Sequence, residues 1–144
     1  MKIMNKTENE KTIFEKIING EIPCNKIYEN EFVFAFLDIS PHNPGHTLVV
    51  PKKPFENIFE IPKPDLNELI NAVQFLSQKI KTALAADGIK ISMNNGKAAG
   101  QVVFHAHIHI IPRFENDNWP KNYQYDEGEA SETAEKILVE IKKG

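Results

Sequence analysis

Three histidines within five residues, His105, His107 and His109, are the residues of this chain best placed to do chemistry. On an extended strand successive side chains point to opposite faces, so the three imidazoles share one face and Ala106, Ile108 and Ile110 the other. At about 3.3 Å of rise per residue the imidazoles line up over roughly 13 Å. The apolar face belongs on a core, which leaves the imidazoles towards a cleft. Two chemistries suit such a row. A nucleophilic imidazole can attack phosphorus while its neighbours hydrogen-bond phosphate oxygens and protonate a leaving group. Neutral imidazoles spaced His-x-His can also ligate zinc. A core histidine donating to a backbone carbonyl would need neither.

The loop immediately upstream, Asn94-Asn95-Gly96-Lys97-Ala98-Ala99-Gly100-Gln101, favours phosphate, because small residues let several backbone N–H groups converge on one anion. Charge agrees with a small ligand. The 17 Lys and Arg against 20 Asp and Glu leave a net charge of −3, too little positive field to coat a nucleic-acid backbone. The only cysteine, Cys24, excludes an internal disulfide and a multi-cysteine zinc site, and suits a reducing compartment. A partly buried thiol is its expected state.

The elements that must hold these residues follow from periodicity. Ile13, Phe14, Ile17 and Ile18 have helical spacing, ended by Gly20. Lys26–Glu29, Phe32–Leu37 and His46–Pro51 read as strands, the first two joined by a turn at Asn30-Glu31. Ser40-Pro41-His42-Asn43-Pro44-Gly45 is a loop. From Asp65 to about Ala86 runs one helical face of Leu66, Leu69, Ile70, Val73, Leu76, Ile80 and Leu84, with Gly88 as its stop. Ile89, Ile91 and Met93 then alternate inward with Lys90 and Ser92, and Val102 to Pro112 reads as a further strand. A last helix, capped by Ser131, turns Ala134, Ile137, Leu138 and Ile141 inward. The acidic stretch from Asp126 to Glu135 reads as solvated surface.

The expected architecture is α+β, a mostly antiparallel five-stranded sheet with one long helix and a short N-terminal helix. With 144 residues, 41% of them hydrophobic, the chain is long enough for a single domain, assigned to residues 12–144 with a C-terminal extension, after a flexible tail over 1–11. No stretch approaches the roughly 18 apolar residues of a membrane span, and the N-terminus lacks the apolar segment of a secretory signal, so a cytoplasmic protein is expected.

The motif His105-Ala106-His107-Ile108-His109-Ile110-Ile111 resembles the signature of the histidine triad (HIT) superfamily. The likeness extends from about Thr12 to Arg113. It takes in Ile13 to Pro23, Ala35-Phe36-Leu37-Asp38-Ile39-Ser40-Pro41 and Pro44-Gly45-His46-Thr47-Leu48-Val49-Val50-Pro51-Lys52. The nearest branch is that of the histidine-triad nucleotide-binding proteins, which are nucleoside phosphoramidate hydrolases.

That resemblance implies a HIT-like fold and a reaction through a covalent nucleotidyl-histidine. His107 would be the nucleophile, oriented by the backbone carbonyl of His105. His109 and His46 would contact phosphate oxygens or the leaving group. Asn94, Gly100, Gln101 and Val102 would surround the phosphate, the backbone N–H groups near Gly100 and Val102 stabilising charge. Asp38 would hold the ribose hydroxyls, and Ile13, Phe14, Ile17, Phe36, Leu37 and Ile39 would form an apolar slot for a purine. Val102 replaces a Ser that is frequent in this branch, removing one hydroxyl donor. Thr12 and Glu15 stand where many bacterial members have a zinc-binding Cys pair, so no metal and no cofactor are expected. His42 matches no catalytic position and reads as a loop residue. Trp119-Pro120 reads as rim packing near the site. A homodimer is implied, with a purine nucleotide as the small-molecule partner and neither a nucleic-acid polymer nor a membrane. Diadenosine polyphosphate hydrolysis, and nucleotide binding with little turnover, are the alternative activities.

Overall fold

The computed structural model describes residues 7, 9–118 and 122–144. Most of the expected tail, and the Trp119-Pro120 pair, lie outside the described residues. The elements are α1 (Ile13–Ile18), β1 (Lys26–Glu29), β2 (Val33–Leu37), β3 (Thr47–Pro51), α2 (Lys63–Leu84), β4 (Gly88–Ser92), β5 (Ile108–Arg113) and α3 (Glu129–Lys142). The five strands form one antiparallel sheet in the order β1-β2-β3-β5-β4, as the α+β reading expected.

Strand alternation builds two apolar layers on this sheet. Val33, Ala35 and Leu37 of β2, Val49 of β3, and Ile108 and Ile110 of β5 join Leu69, Leu76 and Ile80 of α2 and Ile137 of α3 in the main core. Phe34 and Phe36 of β2 with Leu48 and Val50 of β3 form a second cluster on the opposite face, closed by Phe14 of α1. Buried on both faces, β2 and β3 therefore read as continuous apolar runs.

α1 is only six residues long, too short to be stable alone. It is held by a capping box: Thr12 Oγ1 accepts the N–H of Glu15, and the Glu15 carboxylate accepts the N–H of Thr12.

Several expected details shift. β5 begins at Ile108 rather than Val102, because the preceding residues spend their hydrogen bonds elsewhere. Ala106 N–H donates to the Phe55 carbonyl at 2.7 Å, and the Gln101 side chain closes the Gly96–Val103 loop on itself. α2 ends on Ala85 in the left-handed conformation, φ 52°, with Gly88 already in β4. Ile70 of α2 and Ile91 of β4 face outward instead of inward, the latter because β4 is an edge strand. Gly128, φ 81°, starts α3, while Ser131 lies exposed inside its first turn.

Candidate active site

The site lies on the α1 face of the sheet, where a cavity of about 480 Å³ opens among α1, β2, β3 and the run-in to β5. Its volume falls in the range of small-molecule pockets. Ile13, Phe14, Ile17, Phe36, Ile39, Val102, Asp38, His107 and His109 line it, all expected from the sequence. Ile22, Pro23, Cys24, Ser40, Leu48 and Val103 line it as well and were not expected there. Cys24 is half-buried, and burial pushes its thiol pKa up. Another cavity, of about 500 Å³, lies between the end of α2 and the start of α3 and contains no histidine.

The three clustered histidines separate into three roles. His107 faces the cavity, and its ring meets Phe14 edge-on at 5.0 Å between centroids. Its Nδ1 lies 2.7 Å from the His105 carbonyl, so Nδ1–H donates there and the lone pair of Nε2 is left for chemistry. His105 is 0% exposed and works beneath the site. Its Nε2–H donates to the Pro51 carbonyl at 2.8 Å, and its Nδ1 accepts from Thr12 Oγ1 at 2.7 Å. That pair of bonds ties α1 to β3 beneath His107.

His109 and His46 act as a pair. The backbone N–H of His42 donates to His46 Nδ1 at 3.0 Å, which leaves the neutral ring's proton on Nε2. That proton points to His109 Nδ1 at 2.9 Å, so His109 in turn carries its own proton on Nε2. Both rings are kept neutral. Burial, then the nearby charge of His109 and His42, takes His46 down to about 3. Burial, then the charges of His107 and His42, takes His109 down to about 4. Burial also lowers His107, although the His105 carbonyl and the Asp38 carboxylate pull the other way. Because His46 is neutral, its 3.5 Å approach to Asp38 is a dipolar contact rather than an ion pair. At 1% exposed, His46 reaches a ligand only through His109.

Asp38 does two things. Oδ1 accepts the N–H of Ser40 at 2.9 Å, closing the turn after β2. Its carboxylate also lines the cavity, where burial raises its pKa against the Ser40 bond and the His42 and His107 charges. Leu37 points into the main core and away from the slot. This is the alternation rule at work, since neighbouring residues of a strand cannot share a face. Gln101 is buried, with its amide bonded to Gly96 N–H, the Glu56 carbonyl and the Val103 carbonyl. It braces the loop. Asn94 sits beside Gly100, whose φ of +94° ends the short helical turn Lys97–Ala99. Val102 is 84% exposed at the mouth.

His42 also escaped the sequence reading as a participant. His42 stacks on His46 at 5.3 Å with 15° between the rings, besides giving its N–H. The available signal was its position four residues before His46, in a Pro- and Gly-rich loop that has to fold back on itself.

Asp38, His46 and His109 each bring a ligand atom to within 4.8 Å of the others, close enough to hold a cation. The donor set fits a cation poorly. Binding through His46 Nε2 would move that ring's proton to Nδ1, directly against the N–H of His42.

The HIT domain family model matches residues 19–116. The chain is 54% identical over 105 residues to an uncharacterized HIT-like protein of Methanocaldococcus jannaschii, covering 73% of this chain and 81% of that one. It is 40% identical over 116 residues to the adenylylsulfatase HINT3 of Arabidopsis thaliana, covering 81% of this chain and 59% of that protein. The crystal structure of a hypothetical histidine triad nucleotide-binding protein from Sulfolobus tokodaii superposes with a TM-score of 0.84 at 38% identity, over 90% of this chain and 91% of that one. The histidine motif, the fold and these likenesses agree: the chain belongs to the HIT family.

Proposed function

We propose that this chain cleaves purine nucleoside 5′-phosphoramidates, or related nucleotidyl substrates, through a covalent nucleotidyl-His107 intermediate. The observation that carries this reading is the bare Nε2 of His107 facing a cavity that also holds Asp38 and the Nε2–H of His109. The purine lies in the apolar slot between Phe14, Ile17 and Phe36. The ribose hydroxyls are held by Asp38, which would repel a phosphate in the same place. Backbone N–H groups near Gly100 and Val102, together with Asn94, receive the phosphate oxygens.

In the first step His107 Nε2 attacks the α-phosphorus, the P–N bond breaks and the amine departs with the bonding pair. Neutral His109 stabilises the phosphoryl oxygens as a hydrogen-bond donor. The proton that the departing nitrogen needs comes from water or from substrate already protonated there. In the second step water attacks the same phosphorus and releases a proton to solvent, matching the one taken up in the first step; the P–Nε2 bond breaks, and the nucleoside monophosphate leaves with His107 returned to its starting form. Incubation with adenosine phosphoramidate, beside His107→Ala, tests the reading: AMP release by the wild type alone supports it, and equal release by both ends it.

A second reading has its own observation. With His46 and His109 neutral and no hydroxyl on Val102, a leaving group that needs no proton suits the site best. Mixed anhydrides such as adenylylsulfate have one, and HINT3 of Arabidopsis is named for that activity. A higher kcat/KM for adenylylsulfate than for the phosphoramidate would favour it.

The protein functions as a homodimer built on the free edge of β4. Among the described residues that strand pairs only with β5, and Ile91 is 53% exposed on it. An apolar open edge of this kind calls for cover.

A further inference from the structure

Asp117, Tyr123 and Tyr125, between β5 and α3, lie beyond the residues matched by the family model, yet they grip the loop that carries His42 and His46. Tyr123 N–H donates to the Pro41 carbonyl at 2.8 Å. Asp117 accepts from the buried Asn43 side chain at 2.9 Å. The Tyr125 hydroxyl oxygen accepts the N–H of Gly45 at 2.9 Å. This last bond joins the segment to the residue immediately before His46. Gly45 is buried at φ +88°, and a Cβ there would meet Leu84 Cδ1 and Pro112 Cγ.

The geometry points to Tyr125 as a positioning residue: by holding Gly45 it keeps the 42–46 turn closed, so that His42 N–H reaches His46 Nδ1 and His46 hands its Nε2 proton to His109. The tautomer of His109, and with it the donor presented to the phosphoryl group, is thereby set from outside the residues that the family model matches. Without the Gly45–Tyr125 bond a buried backbone N–H loses its partner, and the turn has reason to open. His46 is then released from the His42 N–H and free to place its proton on either nitrogen.

This inference rests on the proposed reaction only for its effect on rate; the tautomers can be read without turnover. The experiment compares the full chain, wild type and Tyr125→Phe, by ring-nitrogen NMR and by steady-state kinetics on adenosine phosphoramidate, with thermal melts to verify folding. Tyr123→Phe is the control, since that residue holds the loop through its backbone. In the wild type and in Tyr123→Phe, His46 and His109 are expected as pure Nε2–H tautomers. In Tyr125→Phe both become mixtures, and kcat falls about tenfold while KM stays within about twofold. Pure Nε2–H tautomers in Tyr125→Phe overturn the inference whatever the rate does. Mixed tautomers with an unchanged kcat overturn the catalytic consequence. If the wild type turns over no nucleotide substrate, the proposed function falls, and the ring tautomers alone decide the role of Tyr125.

Discussion

His105, His107 and His109 look interchangeable as letters, and their environments make them three different reagents. His107 Nδ1 is committed to a carbonyl, which leaves Nε2 basic and aimed at the cavity. Replacing His107 by Ala is expected to lower turnover by about 10³-fold or more, the scale on which losing a nucleophile acts. Because burial lowers the His107 pKa, the ring stays unprotonated below the ordinary imidazole value of 6.5. A profile of kcat/KM against pH should therefore be level as pH drops through 6.5 and fall only at more acidic values; an acid limb at or above 6.5 would contradict this. That His107 and Asp38 would face one cavity was legible in the sequence because motif and spacing carry them. The burial of His105 and the stacking of His42 on His46 were not, since both depend on contacts across distant parts of the chain, Thr12 with His105 and the 42–46 turn with β5.

Periodicity located the sheet and the long helix well and their edges less well. The resemblance put both Phe36 and Leu37 in the slot, whereas strand alternation allows only one of the two, and Leu37 turns to the main core. The start of β5 was illegible for a different reason: an extended segment with strand-like residues stays out of the ladder when its partners are a side-chain amide and a loop carbonyl. The turn before β3 is the tightest local constraint. Gly45 sits at φ +88° with Leu84 and Pro112 against the missing side chain. Gly45→Ala is expected to cost about 1–3 kcal/mol or more by strain and overpacking. Urea unfolding measures it, and a variant as stable as the wild type would show that the turn can relax.

Burial of neutral imidazoles also shapes the stability of the fold. His46 and His109, at about 3 and about 4 when folded, take up protons near 6.5 once unfolded. Between those values the unfolded chain binds more protons, so stability is full above pH 6.5 and is lost as the medium is acidified towards pH 4. The slope reaches about 1.4 kcal/mol per pH unit for each histidine. Asp38, raised by burial, opposes this in part because protonation at low pH favours its folded form. Denaturant titrations at a series of pH values should show the decline, and a flat response from pH 7 to 4 would contradict it. Assembly is tested by Ile91→Lys, which should convert a dimer into single chains in light scattering; wild-type chromatography giving only single chains would refute the β4 interface. The proposed chemistry stands or falls on a covalent bond at one ring nitrogen. Rapid acid-free quenching of the wild type during turnover of adenosine phosphoramidate, followed by peptide mass spectrometry, is expected to find one adenylyl group on His107. Steady turnover with that residue never modified, or with the group on another histidine, would contradict the account.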